Sequence, residues 1–172
     1  MRLFNVLSHS RLRLKIFTDE CMKISMNSDR IKAFILVSIQ IACILLILAS
    51  GPLFAANRML MVAEAAGIAL GVWSMVVMGR KNLNIAPTVR DGAQLVIKGP
   101  YRLIRHPMYA SVLLTIWAVI IDQFTLLRLI VGLILTADLM IKMLYEEGIL
   151  KRHFRDYPAY MEGTKRIIPF IL

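Results

Sequence analysis

Carboxylates are scarce in this sequence: eleven Asp and Glu face twenty-one Lys and Arg, for a formal net charge of +10. Sulfur and imidazole are scarcer still, with two cysteines and three histidines in 172 residues. Cys21 sits in a basic stretch and Cys43 inside an apolar run, so the two are not expected to form a disulfide. His9, His106 and His153 are scattered, no Cys/His cluster accompanies them, and no metal is expected. Polar surface is the other deficit. With 58% hydrophobic and only 19% charged residues the chain cannot be an ordinary soluble domain, and its apolar residues fall in long runs that point to lipid as the solvent.

A charge of this size in a soluble protein would suggest nucleic acid. Here the cations lie between apolar runs, so anionic lipid headgroups are the expected counter-charge and no nucleic-acid partner is expected. Residues 1–30 lack the order of charge, apolar run and small-residue cleavage site that marks a secretory signal. Two readings of this stretch stay open: a basic cytoplasmic arm, or an over-long reading whose true start is Met22 or Met26.

The apolar runs define four expected spans. The first covers 31–54, apolar except for Ser38, Gln40 and Ser50, and Gly51-Pro52 ends it. About 20 such residues at ~1.5 Å each cross a hydrocarbon core of roughly 30 Å. A short loop with Asn57 and Arg58 leads to the second span, 59–78, so that 31–79 forms a two-helix hairpin. Residues 79–105 hold Arg80, Lys81, Arg90 and Lys98 with Pro87, Gly92, Gly99 and Pro100, too polar to span and too broken for one helix. The third span, 107–121, is short, which predicts a tilted or partly submerged helix, or one extended through the motif itself. Asp122-Gln123 makes the turn into the fourth, 125–145, and an amphipathic tail closes the chain, with Ile167-Ile168-Pro169-Phe170 able to rest on the interface.

Seven Lys and Arg lie in the N-terminal arm up to Lys32, six in the central loop and five in the tail from Lys151, against Arg58 and at most Arg128 in the opposite turns. The positive-inside rule then predicts four spans with both termini cytoplasmic. It also puts Arg105-His106-Pro107 and Glu146-Glu147 on that same cytoplasmic face. The expected fold is an all-α polytopic membrane protein with about four transmembrane helices, a C-terminal helical hairpin and a cytoplasmic cofactor pocket.

His106-Pro107 by itself is explained by a helix start, since Pro at the first turn has no N–H to leave unpaired. The functional reading rests on its combination with Tyr101, Arg102, Arg105 and Tyr109 and on the carboxylate pair one hairpin away. Polar groups on one membrane face are costly in lipid unless they line a site.

These residues carry a resemblance. Leu95-Val96, Gly99-Pro100-Tyr101, Arg105-His106-Pro107-Met108-Tyr109 and Glu146-Glu147 occur in the order and spacing of the integral-membrane methyltransferases of the isoprenylcysteine carboxyl methyltransferase and phospholipid methyltransferase superfamily. The likeness covers about residues 82–169, including Phe154, Tyr157, Tyr160 and Pro169; the first two spans are similar only in being apolar. One position departs, Ser111 standing where that pattern has glycine. The resemblance implies S-adenosyl-L-methionine as cofactor, under a cap formed by the C-terminal segment. By position it implies that Gln94, Leu95, Val96, Tyr101, His106, Pro107, Met108 and Tyr109 wall the cofactor, with Glu146 as main acidic contact and Glu147 supporting it. It also places Lys142 where the isoprenylcysteine enzymes have a substrate arginine. Arg105 is expected at a substrate headgroup or the cofactor carboxylate, with structural pairing as the alternative. His106 and Glu146 are the expected catalytic residues, either serving as base if the acceptor must lose a proton.

Asp138, Lys142 and Glu146 recur four apart and so form one polar stripe. Either Asp138 and Lys142 neutralise each other as an ion pair, or Lys142 steers an anionic substrate group. Gly67 and Gly71, with Ala63 and Ser74, make a small-residue face expected to pack within the monomer. Glu64 is expected to reach water near the outer end, and Trp73 and Trp117 to pack or face lipid. The resulting expectation is methyl transfer from S-adenosyl-L-methionine to a membrane-partitioned, lipophilic or prenylated substrate, the carboxylate of a prenylated cysteine being favoured. The alternatives are N-methylation of a phospholipid amine, a membrane reductase and a non-enzymatic scaffold.

Overall fold

The computed structural model describes residues 31–82 and 94–168. The arm at 1–30, the Pro87–Gly92 part of the central loop and the Pro169-Phe170 end lie outside the described residues. In chain order the elements are α1 (Ile31–Ala49), α2 (Arg58–Asn82), a 3₁₀ turn (Gly99–Arg102), α3 (Pro107–Asp122), α4 (Leu126–His153) and α5 (Tyr157–Gly163). The fold is all-helical, with no strand among the described residues. By length and composition α1 and α2 can each cross a membrane, whereas α3 is a shorter apolar helix.

Local chemistry sets the boundaries. The first helix stops at Ala49 rather than at 54, because Pro52 disfavours helical geometry at Gly51 and Ser50 turns its hydroxyl onto the Ile47 carbonyl (2.8 Å). Asn57 caps α2, its side-chain oxygen accepting from the Met59 N–H at 2.9 Å. Gly79, at φ +68°, breaks the helical path near the end of α2, a conformation open to glycine at little cost. Thr125 caps α4 by accepting from the Arg128 N–H (3.2 Å), and Pro107 occupies the first turn of α3. The fourth helix runs 28 residues without a break at Gly148, longer than the expected span, and ends on Lys151, Arg152 and His153, which suit the negative end of its dipole. At ~1.5 Å per residue it reaches about 42 Å.

The turns at 50–57 and 122–128 are tied by side chains. Asp122 accepts from the Ala56 and Asn57 N–H groups, both at 2.8 Å, and these bonds hold its carboxyl below the usual range. Arg128 is almost fully buried and donates to Ser50 Oγ (2.7 Å), to Gln123 and to the Pro52 carbonyl. Glu64 does not reach water as expected. It is 4% exposed, because the 51–57 loop folds over it and the Ala55 N–H donates to its Oε2 at 3.0 Å.

Cys43 and Ile47 of α1 pack with Ile116 and Ile120 of α3 and with Val131, Leu135 and Leu139 of α4 to form the core. Most other large apolar side chains of α1 and α2 point outward, Phe34 and Val76 among them. A helix apolar on all sides with only a narrow buried stripe suits a lipid surround. The glycine face of α2 packs within the monomer. A Cβ on Gly67 would lie 2.5 Å from Thr115 Oγ1 and 3.0 Å from the Thr115 nitrogen, and one on Gly71 would lie 2.9 Å from Ser111 Oγ. Ser111 therefore faces α2, with its hydroxyl on the Met108 carbonyl (2.7 Å). Trp117 packs between helices and donates to Thr136 (3.1 Å), while Trp73 is exposed.

Candidate active site

The Gly99–Arg102 turn begins the site. Gly99 has φ +58° and lies so close to α2 that a Cβ would stand 2.9 Å from Val77, which accounts for glycine there. Pro100 and Tyr101 are buried behind it. The chain then straightens through Ile104 and Arg105, and the tail returns to pair with it. Arg105 N–H donates to the Lys165 carbonyl (2.7 Å), His106 N–H to the Arg166 carbonyl (3.0 Å) and Lys165 N–H to the Leu103 carbonyl (3.3 Å). Tyr160 adds a hydroxyl bond to the Tyr101 carbonyl at 2.6 Å. The motif before α3 and the tail after α5 are thus one unit.

At the centre of this unit is Glu147, 2% exposed. Arg105 Nε donates to its Oε1 at 2.9 Å, and Arg166 holds Oε2 through Nη2 at 3.2 Å. Arg105 also donates to the Met161 carbonyl (3.0 Å) and to the Thr164 carbonyl. Burial pushes the Glu147 carboxyl up, but His106, Arg166 and Arg105 beside it outweigh burial and hold it at about 2. In this geometry Arg105 Nε serves Glu147 and Nη1 serves the tail.

Glu146 is placed differently. Its side chain is 31% exposed, the Tyr109 hydroxyl donates to Oε2 at 2.8 Å, and His106 Nδ1 lies 3.7 Å from the same oxygen. Glu146 is thus held at one oxygen by a phenol and stays partly open to solvent. The His106 and Tyr109 rings stack with centroids 5.4 Å apart. His106 is 4% exposed in its side chain and its Nε2 stands 3.5 Å from Glu147 without a hydrogen-bond partner. It therefore lies buried within 4 Å of both carboxylates. The Tyr101 hydroxyl is buried with no hydrogen-bond partner among the described residues, and burial together with the charge of Glu146 raises its pKa, so it remains a donor at neutral pH. Burial likewise raises the Tyr160 phenol to about 12.

One turn deeper, Lys142 is 3% exposed and donates to Gln40 Oε1 of α1 at 2.7 Å, with its ammonium 5.5 Å from the Tyr109 ring centroid. The Asp138–Lys142 ion pair is not formed within 4 Å. Gln40 takes the lysine instead, and both oxygens of Asp138 are buried without a hydrogen-bond partner. Pro107 is buried and Met108 half-buried at the start of α3. Leu95 and Val96 are half-buried, and Gln94 is exposed, in the non-helical strip before the 3₁₀ turn.

Tyr101, His106, Tyr109, Glu146, Glu147 and Lys142 therefore converge on one end of the bundle. Sequence reasoning missed Gln40, Arg166 and Thr164 as participants. A glutamine inside an otherwise apolar span was the signal for Gln40. Arg166 and Thr164 have no local signal, since they join the site only when the tail folds back.

No curated protein matches the chain. The sequence model described as phospholipid methyltransferase matches residues 57–157, more than half of the chain. That match takes in α2, which the motif resemblance had left out, along with α3 and α4. It stops before the returning tail, and α1 lies outside it. With the motif, the carboxylate pair and the helices that carry them all inside the matched region, the chain belongs to the phospholipid methyltransferase family, within the wider group of membrane methyltransferases.

Proposed function

We propose that this chain crosses the membrane four times, both termini cytoplasmic, and transfers the methyl group of S-adenosyl-L-methionine to a membrane-partitioned lipid. Family membership supports methyl transfer at a membrane, and the distribution of Lys and Arg supports the orientation. The observation that carries the cofactor reading is the contrast between the two carboxylates. Glu147 is buried between two guanidinium groups, whereas Glu146 has no guanidinium within 4 Å among the described residues and is 31% exposed. The cofactor presents ribose hydroxyls and an ammonium as donors, and a partly exposed carboxylate accepts either. The unpartnered Tyr101 hydroxyl offers a donor in return, so the residues present fit the group.

The bound cofactor would supply an activated methyl group on a positively charged sulfur. The chain's own contribution is placement and shielding. Glu146, oriented by the Tyr109 hydroxyl, would hold the donor-bearing end; Tyr101, Pro107, Met108 and Tyr109, with Gln94, Leu95 and Val96 before them, would form the wall. His106 would act as a positioning residue between the carboxylates, leaving Glu146 as the accessible catalytic group of the two. Alignment in a site closed to water is the main source of rate when little acid–base work is required.

The family description favours a phospholipid acceptor, whose amine must lose a proton. The ammonium of Lys142 favours a second reading, the carboxylate of a prenylated cysteine. Membership of a methyltransferase family weighs against the reductase and scaffold alternatives.

Calorimetry with S-adenosylhomocysteine, on purified protein in lipid nanodiscs, tests the cofactor site. Binding by the wild type that falls at least tenfold in a folded Glu146→Gln variant is the expected result. Equal binding by both proteins, or none by a folded wild type, would refute it.

A further inference from the structure

The 3₁₀ turn that opens the motif lies beside α2 rather than beyond its end. A Cβ on Gly99 would stand 2.9 Å from Val77 and 3.5 Å from Trp73 Nε1. The apolar stretch Arg58–Gly79 closes six residues after Trp73, so the turn sits about 9 Å of helix rise inside that limit. A segment at this depth meets the border between hydrocarbon and headgroups, where tryptophan is favoured, and Trp73 is exposed there. The tail joins at the same level, because the Lys165 N–H donates to the Leu103 carbonyl (3.3 Å). Two sets of side chains on this motif–tail unit suit such a border. Ile97, Leu103 and Ile168 are each about half exposed, and Lys98, Arg102 and Lys165 are exposed beside them in the chain. Long cationic side chains with apolar neighbours lay their stems on hydrocarbon and reach phosphate with the charged head.

Charge gives the partner. Folding the tail onto the motif gathers Lys98, Arg102, Arg105, Lys165 and Arg166, and Glu147 takes Arg105 and Arg166. Lys98, Arg102 and Lys165 have no carboxylate within 4 Å among the described residues, so closing the tail brings like charges together without a counter-ion. The counter-charge that fits is anionic, spread over a plane and set at the edge of hydrocarbon, as the headgroups of an anionic leaflet are. An acidic soluble protein would meet the cations but would offer no hydrocarbon to Ile97, Leu103 and Ile168. The closed tail also bears on the site. Its carbonyls hold the Arg105 and His106 N–H groups, and His106 lies within 4 Å of Glu146. A tail released from the motif would unseat the residue beside the carboxylate that receives the cofactor.

We propose that Lys98, Arg102 and Lys165, with Ile97, Leu103 and Ile168, form a docking surface for anionic lipid, and that docking holds the tail closed over the motif. Affinity for the cofactor then depends on the charge of the leaflet in which the site stands. The lipid bound here is a partner separate from the methyl acceptor: it neutralises the outer cations and takes no part in the transfer. The link to the cofactor rests on the methyltransferase reading, whereas the effect on the tail stands without it.

The test compares nanodiscs of phosphatidylcholine alone with discs in which about a third of the lipid is phosphatidylglycerol, reading S-adenosylhomocysteine binding and thermal unfolding in each. Three proteins are compared: wild type, the triple variant Lys98→Gln, Arg102→Gln, Lys165→Gln, and a control, Lys151→Gln with Arg155→Gln, that removes exposed cations elsewhere in the tail. Wild type is expected to bind about threefold tighter or more, and to unfold about 2 °C higher or more, in the anionic discs. Both differences should shrink when salt is raised from about 0.1 M to about 0.5 M. The triple variant should bind alike in the two discs, within about 1.5-fold, while the control keeps the wild-type difference. Equal behaviour of wild type in both discs would overturn the inference and leave the methyltransferase reading intact. So would a difference that the triple variant retains or that the control abolishes equally. Absence of S-adenosylhomocysteine binding by folded wild type in both discs would overturn the cofactor reading and the dependence built on it. The unfolding difference between wild type and triple variant would then still decide the docking surface.

Discussion

Replacing Glu147 with glutamine tests whether the tail and the motif are held together by one charge. Glu147→Gln keeps the shape of the side chain and removes the anion between Arg105, Arg166 and His106. The carboxyl titrates at about 2 in the folded protein against an ordinary 4.5. A depression of that size corresponds to about 3 kcal/mol of stability at neutral pH. Removing one partner of a buried ion cluster costs a similar amount, about 3–5 kcal/mol, because Arg105 and Arg166 then lose their counter-charge. For a chain of this length such a loss lowers the unfolding temperature by roughly 6–12 °C. The sign of the pH dependence follows from the depressed pKa. The stabilisation is complete above about pH 4.5 and is lost as pH falls through about 2, where the wild-type carboxyl is itself protonated. Thermal unfolding of both proteins in detergent, from pH 7 down to pH 2, is the assay. The gap between them should be wide at pH 7 and close across the acid window. A gap below about 1 °C at pH 7 would refute the argument. So would one that stays constant to pH 2.

Two further substitutions probe the site and its support. Tyr109→Phe removes the hydroxyl that orients Glu146 (2.8 Å) and should weaken S-adenosylhomocysteine binding about 3- to 10-fold by calorimetry, with unfolding little changed. Gly67→Ala drives a methyl to within 2.5 Å of Thr115 Oγ1 and 3.0 Å of its backbone nitrogen. Overpacking of this kind costs about 1–3 kcal/mol, so the unfolding temperature should drop by several degrees, and an unchanged midpoint would show that α2 and α3 are less tightly joined than the geometry indicates.

Much of the architecture was legible locally. The positions of α2 and α3, the short third helix and the break at Gly79 follow from apolar run length, Pro and Gly, all properties of neighbouring residues. The motif and the carboxylate pair were legible because their residue types are unusual beside apolar helices. Two boundaries were misread. The first helix ends five residues early because Gly51-Pro52 acts on the residues before it, and α4 continues through Gly148 because the basic last turn favours helix beyond the expected apolar span.

What the sequence determined by itself is therefore the solvent, the helices and the chemical types at one end of the bundle, since hydropathy and backbone preference act over a few residues. Division of labour between Glu146 and Glu147 was decided only by the tertiary structure. The two are adjacent in sequence, but one helical step of about 100° turns Glu147 toward Arg105 and the returning tail and leaves Glu146 beside Tyr109 at the rim. The same holds for Lys142, whose partner is Gln40, 102 positions away, rather than Asp138, four positions away. Which donor meets which carboxylate depends on helix rotation and on a tail folding back across the molecule, and neither is encoded in any local stretch of the chain.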